Sequence, residues 1–189
     1  MDSTHWKTEL FSVADRIEEL ATFRRYSDRR ANLLEREVIL AVFSVRVLIE
    51  RHKLSEELLS EKLVVRAYPK RTKKPTTWLN NHKIDELFDL NADIFKTLGL
   101  TFVCNQIIHS YILSPVQEGQ KFTHLFVCSD YERNKFLYLM ETDLIVALLR
   151  KVGFDSSSHM HLEFDPDPKK LDYKIRNYNV AEPDVAPNA

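Results

Sequence analysis

The run "VILAVFSVRVLI", residues 38–49, is the longest nearly apolar stretch of the chain. It lies within a longer segment, from about Asp28 to Leu54, in which leucine, glutamate and arginine recur at helical spacing. The run contains Arg46 and is shorter than the roughly 20 apolar residues that cross a bilayer. We therefore expect a long buried helix here and no membrane anchor.

Further helices are expected on both sides of this segment. One runs from about Thr4 to Ala21, and another covers 94–113, with Asn91 as a fair N-cap ahead of it. Only three glycines occur among the 189 residues, which favours helix over strand along most of the chain. A last helix is expected to begin after the capping residue Thr142 and to end near Gly153.

Strands are expected at two places. "KLVVRAY", residues 62–68, is short, rich in valine and aromatic residues, and closed by Pro69. "KFTHLFVCS" and "KFLYLM" are β-prone runs separated by the polar "DYERN", which predicts an antiparallel hairpin from Lys121 to Met140. The sequence therefore predicts a mainly α fold, a helical bundle that carries a small antiparallel β-sheet.

The chain length fits one domain with a sizeable core. We expect residues 1–154 to form that domain, with the β-hairpin around 121–140 as an insertion. From Asp155 onward serine, proline, aspartate and asparagine dominate, so residues 155–189 are expected to be a largely irregular C-terminal extension.

The overall charge does not indicate a polyanion partner, because 27 lysine and arginine residues face 28 aspartate and glutamate residues. Any contact with nucleic acid must therefore be local. The two cysteines, Cys104 and Cys128, lie in apolar surroundings, and neither a CxxC pair nor a secretory signal accompanies them. We expect a reducing compartment and a cytoplasmic location.

The octet "CNQIIHSY", residues 104–111, places an amide and an imidazole inside an otherwise apolar segment. On a helix Thr101, Asn105 and His109 share one stripe, because four residues make about one turn. Asn105 and His109 have two interpretations: they bond to neighbouring helices, since buried polar groups are normally satisfied, or they form a site in which His109 moves protons.

The octet resembles the motif of HEPN domains, in which an arginine is followed by a polar residue that is often asparagine, three variable residues, a histidine and commonly a tyrosine two positions later. Asn105, His109 and Tyr111 match this pattern, and Cys104 stands where the arginine would be. The resemblance implies a helical core that dimerises with the motif at its interface, and a metal-independent endoribonuclease with His109 as proton carrier. Cys104 leaves the arginine's role vacant, since a neutral thiol cannot stabilise a charged phosphoryl oxygen.

Arg46 is the candidate to fill that role from another helix. A charge within a buried helix is costly unless an anion compensates it. Glu50, four residues further on, offers a purely structural partner on the same face. The alternative is that Arg46 points into the same cleft as His109.

One loop offers candidates for RNA contact. It combines positive charge with an aromatic ring that can stack on a base, and it has the alternative interpretation of a solvated loop. The candidates are Lys70, Arg71, Lys73, Lys74 and Trp78. "HMH" at 159–161 lacks further ligands at a suitable spacing, so we expect no metal site, and no cofactor motif is present.

Two functions follow from these observations. The first is a HEPN-like, RNA-associated protein of the toxin or defence type, acting either as a metal-independent endoribonuclease or as a degenerate relative without catalysis. The second is a non-catalytic helical module that dimerises or binds a protein partner, in which Asn105 and His109 only fix the packing of helices.

Overall fold

Six helices and seven strands make up the described residues of this computed structural model, which are 3–156, 159–165 and 172–179. The helices are α1 (Thr4–Ala21), α2 (Asp28–Glu50), α3 (Glu56–Ser60), α4 (Ile84–Leu87), α5 (Leu100–Ile108) and α6 (Thr142–Phe154). The strands are β1 (Lys62–Pro69), β2 (Ile94–Gly99), β3 (Ser110–Glu118), β4 (Lys121–Ser129), β5 (Phe136–Glu141), β6 (His159–Asp165) and β7 (Asp172–Tyr178).

Local signals account for both ends of α2. Ser27 has an extended backbone, and its side chain accepts a hydrogen bond from the Arg30 amide at 3.3 Å, which caps the helix. The helix ends at Glu50, earlier than the expected Leu54, because His52 adopts a positive φ of 49° that a right-handed helix cannot contain.

The first five strands form one antiparallel sheet in the order β2-β1-β5-β4-β3, so β2 and β3 are its edges. The expected strand at 62–68 and the expected hairpin at 121–140 are both present, as β1 and as the β4–β5 pair. Pro115 lies in β3, where an edge position tolerates a residue that lacks an amide proton.

The prediction of a mainly α helical bundle is wrong, because this five-stranded sheet is a major part of an α+β fold. The error lies in the expected helix 94–113. Its first part pairs with β1 as β2, only Leu100–Ile108 is helical, and the chain then continues as β3. Pairing of β2 with β1 and of β3 with β4 overrides a local sequence pattern that fits a helix equally well.

Two hydrophobic clusters lie on the two faces of the sheet. The larger one joins α1, α2, α5 and α6 to side chains such as Val65, Leu125 and Tyr138. The smaller one lies under the connection that contains α4, and it includes Tyr68, Phe88 and Cys128. The long connection between β1 and β2 is therefore packed against the sheet and is not a free loop.

Strands β6 and β7 pair as a separate two-stranded sheet within the extension that the sequence predicts to be largely irregular. Apolar residues alternate along β6, at Met160, Leu162 and Phe164, but the surrounding aspartates and prolines hide this signal in the composition. The Asn177 side chain of β7 donates to the backbone oxygen of His52 and so ties the hairpin to the main domain. Residues 157–158, 166–171 and 180–189 of the predicted extension lie outside the described residues.

Within the described stretches, no helix combines the length and the apolar character that crossing a membrane requires.

Candidate functional site

The C-terminal end of α5 places Asn105 and His109 in one cavity. Asn105 is in the last turn, and its carbonyl accepts the backbone N–H of His109 at 3.1 Å. His109 is the residue at which the helix stops, and its own carbonyl accepts the N–H of Asp130 at 3.1 Å. Both side chains line a cavity of about 500 Å³ between α5 and the start of the β4–β5 turn, where Asp130 and Tyr131 form another wall.

The side chains of Asn105 and His109 are available to a ligand. His109 is exposed and Asn105 is half-buried. Neither side chain makes a hydrogen bond or an ion pair with another of the described residues. The structural polar contact in this turn is made by Gln106, a buried residue that the sequence analysis missed. Its side-chain oxygen accepts the Ser129 amide at 3.1 Å and so joins α5 to the end of β4.

Cys104 faces the core and not the cavity. It is fully buried, and burial raises the pKa of its thiol to about 12, although the positive charge of Arg46 partly opposes this shift. A neutral thiol inside the core cannot perform the role of the arginine in the HEPN motif. Thr101 is exposed on α5 but does not line the cavity.

Arg46 does not line this cavity either. Its Nε donates to the Glu50 carboxylate at 2.9 Å, one turn further along α2. The basic group that the cavity does contain is the imidazole of His109, and a carboxylate, Asp130, lies beside it. The Asp130 carboxylate is itself paired with Arg133 at 3.1 Å. The structure therefore brings Asn105 and His109 together and leaves Arg46 outside.

Tyr111 follows His109 by two residues, near the start of β3, and its ring contacts two other planar groups. Its ring is 4.9 Å from the Trp78 ring between centroids, and the Arg133 guanidinium lies 4.5 Å from the Tyr111 centroid. Trp78 is 75% exposed, so most of its surface is free to contact another molecule. An exposed indole held in place by a second ring is a ready surface for stacking a planar ligand.

The four basic residues at the start of the β1–β2 connection have different environments. Lys70 is half-buried, bonded to Thr76 and placed over the Phe88 ring, and burial lowers its pKa. The Arg71 guanidinium makes one long contact of 3.5 Å with the Asp85 carbonyl. Lys73 and Lys74 are exposed and, among the described residues, have no hydrogen-bond or ion-pair partner. The two lysines are therefore the cations best able to meet phosphates.

Hydrogen bonds hold this basic segment against the β4–β5 turn. The Lys70 amide donates to the Lys135 carbonyl at 2.9 Å, and the Thr76 amide donates to the Asn134 side chain at 2.9 Å. The Thr76 hydroxyl donates to the Arg133 carbonyl at 2.8 Å. One end of the sheet thus carries the basic segment, the Trp78–Tyr111 pair and the Asn105–His109 cavity.

A second cavity, of about 470 Å³, is lined in part by Tyr111 and lies between α2, the Trp78–Ile84 segment and the start of β3. Glu35 from α2 reaches into it, and Asn81 and His82 line it beside Trp78. Burial raises the pKa of Glu35 above its ordinary value. Glu35, Asn81 and His82 have no local sequence signal that marks them, because only the tertiary packing of α2 against β3 brings them together.

Among the residues that the structure describes, no group of three or more histidine, cysteine, aspartate or glutamate side chains is arranged to hold a metal ion. His159 and His161 of the "HMH" sequence lie on β6 and are exposed.

Comparisons of this chain with protein-family models, with curated proteins and with solved structures find no match.

Proposed function

We propose that this chain binds single-stranded RNA at the end of the sheet that carries Trp78, and that it does so without cleaving the RNA. The observation that carries the proposal is the exposed Trp78 ring, which is held against Tyr111 and follows, by four and five residues, two exposed lysines that have no partner among the described residues. Stacking of a base on such a ring contributes about 1 to 3 kcal/mol, and lysines add an attraction to the phosphates. The HEPN-like spacing of Asn105, His109 and Tyr111 is what favours RNA as the polyanion.

We infer the absence of cleavage from the charged groups in and near the cavity that contains His109. Cleavage through the ribose 2′-OH needs a cation close to the phosphoryl oxygens, in addition to a proton carrier. Arg46 is paired with Glu50 outside the cavity, and Cys104 is buried and neutral. Arg133, the cation nearest to this end of the cavity, is itself paired with the Asp130 carboxylate at 3.1 Å. Asn105 and His109 are then hydrogen-bonding groups for RNA, in a protein of the degenerate type.

Binding is tested by fluorescence anisotropy with a labelled single-stranded RNA of about 12 nucleotides, the upper range of one binding surface of this size. We expect saturable binding at low salt and intact RNA afterwards. Trp78→Ala and the double variant Lys73→Glu/Lys74→Glu should each weaken binding about tenfold or more. No detectable binding by the parent protein at low salt would overturn the proposal.

The matched control for the lysine pair is Arg24→Glu/Arg25→Glu. These two arginines are exposed and adjacent, and they carry the same charge. They lie at the other end of the sheet, since the Phe23 amide donates to Gln120 in the β3–β4 turn at 3.0 Å. This control should bind RNA as the parent does, whereas an equal loss would indicate only general electrostatic attraction.

A second candidate function is a module that binds another protein or a second copy of the chain. The observation that favours it is the pair Leu40 and Phe43 on α2, each of which exposes more than half of its surface. Light scattering after gel filtration tests whether two copies of the chain associate. A mass of twice the chain that returns to one chain in Leu40→Lys/Phe43→Lys would support it.

We also propose a cytoplasmic location. Both cysteines are free and buried, which fits a reducing compartment.

A further inference from the structure

The second cavity combines flat walls with unused polar groups. The rings of Trp78 and Tyr111 form part of its lining, and apolar side chains such as Ile39 and Ile112 form much of the rest. Polar side chains share the lining, from Glu35, Asn81, His82, Ser110 and Ser114, so the cavity offers both flat surfaces and hydrogen-bonding groups to a small planar ligand. The cavity opens next to the proposed RNA surface, because Trp78 belongs to both.

Two of these polar groups have hydrogen-bonding capacity that the protein does not use. The Glu35 carboxylate makes no hydrogen bond or ion pair with any other described residue, although it is partly withdrawn from water. The side chain of Asn81 is likewise without a protein partner in the described part of the chain, since its backbone amide alone is engaged, with the Thr77 carbonyl at 2.9 Å. Both side chains are half-buried and remain open to a ligand, which can bond to them in place of water.

The acceptor oxygens of Glu35 and the N–H donors of Asn81 favour some nucleic-acid bases over others. A carboxylate offers two acceptor oxygens side by side, and an amide offers N–H donors. The Watson–Crick edge of guanine presents two adjacent donors, N1–H and N2–H, next to one acceptor, O6. Adenine presents an acceptor at N1, where the carboxylate would repel it. Uracil presents a single donor between two carbonyl oxygens.

We propose that this cavity binds a guanine base, with the ring stacked on Trp78, its N1–H and N2–H donated to the Glu35 carboxylate, and its O6 accepting from Asn81. This inference deepens the proposed function, on which its biological meaning rests, because it gives the RNA surface a base preference. The site is defined by Glu35, Trp78, Asn81 and Tyr111. His109 and Asn105 belong to the other cavity and take no part in it.

The test uses nucleoside monophosphates as probes, titrated against the full chain with the Trp6→Phe substitution. Trp78 is then the one indole in the sequence, so its fluorescence reports stacking directly. We expect guanosine monophosphate to bind at least about fivefold more tightly than the adenosine, cytidine and uridine monophosphates. Inosine monophosphate lacks the N2 amine and should fall between guanosine and adenosine monophosphate. Equal affinity for all bases, or no binding, overturns the inference.

Glu35→Gln keeps the shape of the side chain and removes its second acceptor. We expect the preference for guanine over adenine to shrink to about twofold or less, while the thermal midpoint stays the same or rises, since a desolvated charge is lost. The matched control is Glu86→Gln, because Glu86 is exposed and pairs with Lys83 outside the cavity. An unchanged preference in Glu35→Gln overturns the inference even if the parent prefers guanine.

The failure of this inference is distinguishable from failure of the proposed function. RNA binding without a base preference among the monophosphates overturns the guanine site and leaves the RNA surface standing. A guanine preference without RNA binding overturns the RNA proposal and leaves a nucleotide site.

Discussion

At the residue scale, Cys104 is the position at which the octet departs from the motif that it resembles. The HEPN-like octet would need a cation at this position, but the side chain is fully buried in the cluster that joins the helices to the sheet. His109, five residues later, is exposed at the end of the same helix. The two positions therefore face different environments, and the position that would need the charge is the one with least access to water.

A substitution tests this directly. Cys104→Arg restores the residue of the motif, and we expect it to destabilise the protein by more than about 3 kcal/mol, because a buried guanidinium would lack an anion. Urea denaturation followed by circular dichroism measures the change. Thr101→Arg is the control, since Thr101 is exposed one turn earlier on the same helix. A stable Cys104→Arg protein that cleaves RNA would contradict this account.

At the element scale, the sequence predicts well those elements whose periodicity is unambiguous. Apolar residues at helical spacing place α1 at the expected Thr4–Ala21, and the "DYERN" turn marks the β4–β5 hairpin. The segment 94–113 is different, because a continuous apolar run fits a buried helix or a buried strand equally well. Its division into β2, α5 and β3 depends on partners far away in the sequence.

The sequence likewise indicates one part of the candidate site and gives no sign of the other. Asn105 and His109 stand out as polar residues in an apolar segment, and the structure does place them in one cavity. Glu35 has no such local signal, since it is one of several charged residues in the first part of α2, ahead of the apolar run. Its position beside Trp78 and Asn81 arises only when α2 packs against β3.

The stability of the fold should depend on pH through Glu37, a residue of α2 that also bonds to α1. This buried carboxylate accepts a hydrogen bond from Arg36 at 2.6 Å and one from Arg16 of α1 at 3.3 Å, and these contacts lower its pKa. A lowered pKa in the folded state stabilises the fold above the ordinary glutamate value of about 4.3, and this contribution is lost as the pH falls below it.

Glu37→Gln should therefore lower the free energy of unfolding by about 0.5 to 1 kcal/mol at neutral pH, a modest value because both arginines are partly exposed. The difference from the parent should disappear in urea titrations well below the ordinary glutamate pKa. A loss that stays constant across this range would indicate that the carboxylate's packing matters and its charge does not. Glu19→Gln, on an exposed carboxylate of α1, serves as the control.

At the scale of the whole molecule, nearly balanced charges limit how RNA can be held. The chain has 27 basic and 28 acidic residues, so a broad electrostatic attraction is not expected. The cations free to meet phosphates on the proposed surface are Lys73 and Lys74, with Arg71 held by a single long contact. Affinity must therefore come largely from stacking.

This predicts a shallow dependence of RNA affinity on salt. Each phosphate contact with a single strand contributes about −0.7 to the slope of log K against log salt concentration, so two or three contacts give about −1.4 to −2.1. Anisotropy titrations at several salt concentrations measure the slope, and Lys74→Gln should make it shallower by about 0.7. A slope beyond about −4 would mean that a much larger basic surface engages the RNA.

The position of α5 also limits the shape of the sheet. It connects β2 to β3, the two edges, and it runs from the Gly99–Lys62 pair at one end of the strands to the Ser110–Ser129 pair at the other. At about 1.5 Å per residue its nine residues are about 13 Å long, whereas five flat strands about 4.8 Å apart are about 19 Å wide. A connection this short, which runs diagonally between the two edge strands, requires the sheet to curl. The length of α5 therefore limits how flat the sheet can be, and a deletion within α5 would pull an edge strand away from its neighbour, whereas the longer β1–β2 connection would absorb one.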